Sequence, residues 1–238
     1  GAAKYFVKQF EVEDGLLNAV LFVCGVGYQS VSVNGKKADS AYLQPAHSNY
    51  KKQCYYVTLP VTELLHSGKN SIGVIVGEGW RRNYGKYLEV LNREVEFFGV
   101  PQLTAQLMLE YQDGSKYWVD TDESWLCGKG GIVQNHLFDG EVYNAKDEIV
   151  GWNKPEFNGD GFVNAVIAEP LGALKAQIIP PIVAKKRIRP KTILPLGAGR
   201  YMCDFGTNIA GVAHLSIPPQ MPAGTHITLT YSEQMQPG

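Results

Sequence analysis

The feature that most constrains this chain is alternation. In Val31-Ser32-Val33, Ile72-Gly73-Val74-Ile75-Val76 and Leu103-Thr104-Ala105-Gln106-Leu107-Met108-Leu109, β-branched and apolar residues alternate with small or polar ones. A strand with one buried face requires that period of two, and an amphipathic helix would show a period near 3.6. The turns agree with this reading. Asn34-Gly35 and Asp113-Gly114 tolerate positive φ, and the second separates Leu109-Glu110-Tyr111 from Tyr117-Trp118-Val119 in a predicted hairpin. One short helix is predicted, with Thr62 capping a turn through Glu63-Leu64-Leu65 that Ser67-Gly68 stops. The expected class is all-β, an antiparallel β-sandwich of jelly-roll-like form.

A sandwich of ordinary size does not use up 238 residues. The pattern lapses into Gly, Asn, Pro and Trp around 151–160, and Pro170 and Pro180-Pro181 follow. The boundary is therefore placed near Pro170, dividing the chain into 1–169, the N-terminal sandwich, and 170–238, the beginning of a second. Strands are expected in the second part at 182–188, 212–217 and 225–231, broken by Pro218-Pro219 and Ala223-Gly224. These are too few for a good sandwich, so the natural protein is expected to continue past Gly238.

Thirteen Tyr, nine Phe and four Trp within a 45% hydrophobic composition supply cores and exclude a disordered chain. Twenty-two basic residues against twenty-three acidic ones leave a net charge of -1, which gives no field to attract nucleic acid. The run Lys185-Lys186-Arg187 with Arg189 and Lys191 reads as a solvated strand edge. No apolar stretch has the length of a spanning helix, so membrane insertion is not expected. The start at Gly1, without a Met, signal peptide or lipidation motif, reads as a processed or engineered terminus. Cys24, Cys54, Cys127 and Cys203 show no CxxC pair and no His at metal-ligand spacing, which argues against structural zinc. Cys24 and Cys54 fall in strand-like apolar runs, where a thiol behaves as a small buried hydrophobe.

Glu78, Asp139, Glu141 and Asp204 are the acids in the most suggestive surroundings for a paired-carboxylate hydrolase, but each also fits a turn acid at a strand end. His47, His66, His136, His214 and His226 are isolated, and no Ser sits in a G-x-S-x-G elbow. Gly25-Val26-Gly27 lacks a third glycine and joins strand to strand, as a sheet corner does. No catalytic residue is assigned. The segment Gly77-Glu78-Gly79-Trp80-Arg81-Arg82-Asn83-Tyr84-Gly85-Lys86-Tyr87 has the composition of a saccharide site. Trp80, Tyr84 and Tyr87 can stack on sugar faces, Glu78, Arg81, Arg82 and Asn83 can bond hydroxyls, and the glycines permit close backbone approach. A loop that plugs one end of a sandwich has the same needs. Phe138-Asp139-Gly140-Glu141-Val142-Tyr143-Asn144-Ala145 is the second candidate, through Asp139 and Glu141.

Taken in order, these residues resemble the front end of bacterial α-L-rhamnosidases of glycoside hydrolase family 78. The resemblance runs from Gly25 through Val31-Ser32-Val33-Asn34-Gly35-Lys36, Tyr50, Val61-Thr62-Glu63-Leu64-Leu65, Gly68-Lys69-Asn70 and the stretch from Val74 to Trp80. It continues in Tyr111-Gln112-Asp113-Gly114-Ser115, Thr121-Asp122-Glu123-Ser124-Trp125 and Asp139-Gly140-Glu141-Val142-Tyr143. Tyr201-Met202-Cys203-Asp204-Phe205-Gly206-Thr207-Asn208, Gly211, Pro222-Ala223-Gly224-Thr225 and Glu233 are similar to the start of the family's next sandwich. The resemblance implies an inverting hydrolase of terminal α-L-rhamnosyl bonds whose catalytic acids lie in a later helical (α/α)6 barrel. It implies a rhamnose-containing glycan and that missing C-terminal barrel as partners, and a periplasmic or secreted location for the parent. No cofactor is implied; calcium assists a rhamnose-binding front sandwich in some relatives and is not predicted here. The competing reading is a stand-alone carbohydrate-binding or adhesion module, and a third is a sandwich that only buttresses the barrel.

Overall fold

The computed structural model of the chain describes residues 1–81 and 99–232. The chain divides into two compact units, Gly1–Val183 and Ala184–Gly238. The strands of the first unit are β1 Lys4–Val12, β2 Leu16–Val26, β3 Tyr28–Val33, β4 Lys36–Lys37, β5 Ala41–Tyr42, β6 Gln53–Pro60, β7 Gly68–Gly77 and β8 Gln102–Tyr111. They continue as β9 Lys116–Asp120, β10 Leu126–Gly128, β11 Ile132–His136, β12 Gly140–Tyr143, β13 Val163–Asn164, β14 Ala173–Ala176 and β15 Ile182–Val183. Two sheets form the sandwich: a six-stranded one ordered β13-β10-β1-β7-β3-β4 and a five-stranded one ordered β14-β6-β2-β8-β9.

Alternation decides which side chains meet between the sheets. From the six-stranded sheet come Val12, Val31, Val33, Ile72, Val74 and Val76, and from the five-stranded one Ala19, Leu21, Val23, Val57, Leu59, Ala105, Leu107 and Leu109, in one buried cluster. Each large aliphatic side chain withdrawn completely from water contributes about 1.5–3 kcal/mol, so this cluster dominates the stability of the unit. The predicted turns form as their chemistry requires. Asn34 and Gly35 both take positive φ (51° and 76°) between β3 and β4, and Gly114 (84°) turns β8 into β9 while Asp113 Oδ1 accepts from the Ser115 amide. The turn at Thr62–Leu64 is a single 3-10 turn, and Thr62 does not cap it. Its Oγ1 accepts from the Ala19 amide instead (2.9 Å), tying the turn to β2.

The middle of the outer face of the six-stranded sheet, around Tyr5, Val7, Ser71 and Gly73, is also buried. Tyr5 meets Trp152 edge-on with centroids 5.0 Å apart, Trp152 stacks on Phe162, and Ser71 Oγ donates to the Asn153 carbonyl. A Cβ on Gly73 would stand 2.5 Å from the Asn153 Cβ, so the strap can lie flat on β7 only because that position is glycine. The segment whose pattern lapses around 151–160 is thus a covering layer.

The expected boundary at 169/170 precedes β14 and β15, and both pair within the first unit. β14 runs parallel to β6, with Ala173 opposite Gln53 and Ala176 opposite Tyr56, and β15 pairs with β5. In the second unit the described strands are β16 Thr192–Gly197 and β17 Arg200–Asp204, an antiparallel hairpin. The strand expected over 182–188 is only the two residues of β15, and 212–217 and 225–231 carry no strand. Alternation makes a segment competent to pair; a strand exists only where a neighbouring backbone completes its hydrogen bonds. Residues 184–189 are exposed and outside any strand, so the basic run is solvated but is not a strand edge.

Candidate functional site

At one end of the first unit β7 runs out at Gly77, and a 3-10 turn, Gly79–Arg81, follows. The glycines there serve backbone packing. A Cβ on Gly27 (φ 136°) would lie 2.0 Å from the Gly77 carbonyl oxygen, and one on Gly79 (φ 47°) would lie 2.8 Å from the Gly27 carbonyl carbon. The close approach read from the sequence is therefore between this turn and the β2–β3 corner. Glu78 is only 4% exposed. Its amide donates to Asn135 Oδ1 of β11 (2.6 Å), its Oε2 lies 2.7 Å from the Gly1 nitrogen, and Asn135 Nδ2 donates to the Gly1 carbonyl. Arg81 is buried as well; its amide closes the turn onto the Glu78 carbonyl, its Nε donates to the Val100 carbonyl, and its carbonyl accepts from the Gly99 amide. Desolvation lowers the Arg81 pKa from its ordinary value, opposed by the nearby Cys54 and Tyr50.

Trp80 turns into the end of the sandwich. Its Nε1 donates to Tyr28 Oη (3.0 Å), and its ring packs on a small cluster of Cys24, Val26, Tyr50 and Cys54 together with Tyr56 and Leu171. The His47 ring lies tilted over it at 5.0 Å, and Phe138 meets it edge-on at 6.2 Å. Burial pushes the Tyr28 phenol up, against the Trp80 hydrogen bond, and desolvation lowers the His47 imidazole pKa. Phe138 belongs to the turn between β11 and β12 and is 53% exposed. Beside it, His136 Nδ1 lies 3.0 Å from Asp139 Oδ2 and 3.1 Å from the Asp139 amide nitrogen. A protonated Nδ1 donates to the carboxylate, and an unprotonated one accepts from the amide, so the turn has a partner in either state. Glu141 is exposed on β12 opposite Asn135. Asp204 closes β17 in the other unit, where its Oδ1 accepts from the Gly206 amide. Among the described residues no group of three or more His, Cys, Asp or Glu is placed to hold a metal ion.

A model of the α-L-rhamnosidase N-terminal domain matches residues 15–186, nearly the whole first unit. The chain belongs to the α-L-rhamnosidase N-terminal domain family. An α-L-rhamnosidase of Formosa agariphila is 34% identical over 91% of the chain and 23% of its own length. The solved α-L-rhamnosidase of Dictyoglumus thermophilum, 34% identical, superposes with a TM-score of 0.78 over 86% of this chain and 22% of its own. The Streptomyces avermitilis α-L-rhamnosidase complexed with L-rhamnose, 26% identical, superposes with a TM-score of 0.80 over 87% of this chain and 20% of its own. The chain spans about a quarter of the length of the curated relatives it matches.

Within this rhamnosidase N-terminal domain, the two runs singled out in the sequence meet. Trp80 touches Phe138, and Glu78 reaches the β11–β12 hairpin through Asn135, across from Glu141. Glu78 and Arg81 are buried, Glu78 Oε2 against the Gly1 nitrogen and Arg81 Nε on the Val100 carbonyl, whereas Asp139 and Glu141 stay in water. Arg82, Asn83, Tyr84 and Tyr87 lie outside the described residues. Sequence reasoning missed Tyr28, Asn135 and the two histidines His47 and His136, whose rings complete the cluster. Tyr28 and His47 come from segments distant in sequence, where no spacing rule could reveal them, whereas Asn135 and His136 stand just ahead of Phe138 at the end of β11.

Proposed function

We propose that this chain is a non-catalytic β-module of an α-L-rhamnosidase that hydrolyses terminal α-L-rhamnosyl residues of glycans, with inversion. Its work is to buttress a helical catalytic barrel supplied elsewhere in the same protein. The observation that carries this reading is the family match over 15–186 in a chain that spans about a quarter of its rhamnosidase relatives. The burial of the Glu78 and Arg81 side chains supports it, because neither charged group is left facing solvent where a glycosidic bond could lie. An aryl α-L-rhamnoside tests the proposal directly. The purified chain is expected to show no turnover while the full-length protein does, and activity that copurifies with the chain would overturn it.

A second reading, saccharide contact at the same end of the sandwich, is favoured by the pairing of exposed Phe138 with half-buried Trp80 beside the exposed Asp139 and Glu141. A ring edge next to solvated carboxylates suits the apolar face and hydroxyls of one sugar residue. One stacked ring with a few solvent-competed hydrogen bonds gives about 4 kcal/mol, a Kd near ~1 mM. Rhamnose titration followed by tryptophan fluorescence should detect this, and Phe138→Ala should weaken it without touching the core. Identical titrations of parent and variant would remove the site.

A further inference from the structure

The sequence holds two Asn-Gly pairs, Asn34-Gly35 and Asn158-Gly159. A glycine after asparagine leaves the backbone nitrogen unshielded, because no Cβ stands between it and the side-chain carbonyl carbon. The fold treats the two pairs oppositely. Asn34 is tied to other segments: its Nδ2 donates to the Leu64 carbonyl (2.8 Å) and to Asn70 Oδ1 (2.7 Å), and its Oδ1 accepts from the Ser71 amide (2.8 Å). Those bonds must break before the side chain can turn toward Gly35. Asn158 is exposed in the strap, and its side chain is folded onto its own turn. Oδ1 accepts from the Asp160 amide (3.1 Å), and Nδ2 donates to Asp160 Oδ2 (2.7 Å). The first bond closes a ring of which the Gly159 nitrogen is a member, so it draws the Asn158 Cγ toward that nitrogen. Among the described residues the Gly159 amide donates to no acceptor. Its φ of 88° is one that glycine adopts without strain.

We propose that Asn158 is a self-modifying site that deamidates in the folded protein, and that its product loosens the strap on β7. The Gly159 nitrogen attacks Cγ, the new C–N bond forms, and the Cγ–Nδ2 bond breaks. Nδ2 leaves as ammonia with the proton that the Gly159 nitrogen gives up. The negative charge that develops on Oδ1 during the addition meets the Asp160 amide N–H, which is already in place. One water then opens the succinimide at either carbonyl, leaving aspartate or isoaspartate, and nothing is oxidised or reduced. Both products conflict with the turn. Where Nδ2 donates to Asp160 Oδ2, a carboxylate offers only acceptors and sets a second negative charge beside the first. Isoaspartate also lengthens the main chain by one methylene, between two points that fasten the strap. On one side Gln9 Nε2 of β1 donates to the Pro155 and Phe157 carbonyls (2.8 and 2.6 Å). On the other, Phe162 donates its amide to the Gly159 carbonyl, meets Phe157 edge-on at 5.0 Å and stacks on Trp152. A longer chain between Phe157 and Phe162 displaces the second ring from its partners.

The test incubates the whole chain in mildly alkaline heavy-oxygen water, folded and in urea, then digests it and locates the label by mass spectrometry. In the folded chain residue 158 should take up one heavy oxygen and become a substrate for isoaspartyl methyltransferase, while Asn34 keeps its amide. In urea both asparagines should convert. If Asn158 keeps its amide in the folded chain but loses it in urea, or if Asn34 converts alongside Asn158 in the folded chain, the geometry of the turn does not select the site and the proposal is wrong. Converted and unconverted chains, separated by charge, are then exposed to chymotrypsin. Faster cleavage after Phe162 is expected in the converted chain, and equal rates would overturn the loosening of the strap.

Discussion

The two units were built from similar sequence patterns and came out differently. In the first, each sheet's alternating residues face the other sheet, and a strap covers even the outer side of β7. In the second, the described strands make one hairpin, and Ile193, Leu196, Tyr201, Val212 and Leu215 are all exposed. Alternation therefore records where apolar side chains are available for burial, and the fold depends on which second layer receives them. The largest effects of mutation should separate the units on this ground. Leu21→Ala, at a fully buried position, is expected to cost about 3–5 kcal/mol, while Leu194→Ala in the hairpin should stay within about 0.5 kcal/mol. Urea unfolding of both variants measures this, and equal losses would mean that the second unit has a core of its own.

The position of the division gives the next effect. A chain ending at Val183 keeps β14 against β6 and Leu171 in the Trp80 cluster; one ending at residue 169 loses both. The shorter chain should unfold with about 2–4 kcal/mol less stability, given that net backbone hydrogen bonds contribute about 1 kcal/mol each and four residue pairs are removed. Equal unfolding midpoints for the two chains would return the boundary to Pro170.

Smaller again is the effect of the corner that seats the candidate site. Gly27→Ala would force a Cβ into the Gly77 carbonyl at a φ that side chains rarely adopt, for about 1–3 kcal/mol. The damage should appear first as a changed Trp80 emission, because Tyr28, the next residue, holds the indole nitrogen. An unchanged spectrum would show that the corner does not position Trp80.

How much of this could be read from the sequence depended on the range of the interaction. The hairpins at Asn34-Gly35 and Asp113-Gly114 were legible because turn chemistry is written into adjacent residues. The end of the first unit was not, since β14 pairs with a strand far back in the chain and Pro170 is a local signal. The strap around Trp152 was read as a lapse because it is held by rings lying on a sheet face and has no periodicity to detect. At the candidate site, composition located the segment but could not tell an indole that meets a ligand from one that meets His47, Tyr28 and Phe138.

The smallest effect is also the one confined to that site. Packing of the His47 ring against Tyr50 and Trp80 lowers its pKa by desolvation, from an ordinary value of 6.5. In the window between the folded value and 6.5 the unfolded chain holds the proton and the folded chain does not, so unfolding takes up protons there. The contribution of His47 is fully present above 6.5 and is lost as the pH falls through 6.5 toward the lower folded value. Acid loss from Asp113 and Asp122, whose pKa values are depressed chiefly by hydrogen bonds from Ser115 and Ser124, sets in as the pH falls through their ordinary value of 3.8. Because water reaches His47, screening keeps its share small, and it is best read as a slope: stability against pH should be flatter below neutrality in His47→Gln than in the parent. Should the two slopes coincide while Trp80 emission still changes across the same range, the titrating group under the indole is not His47.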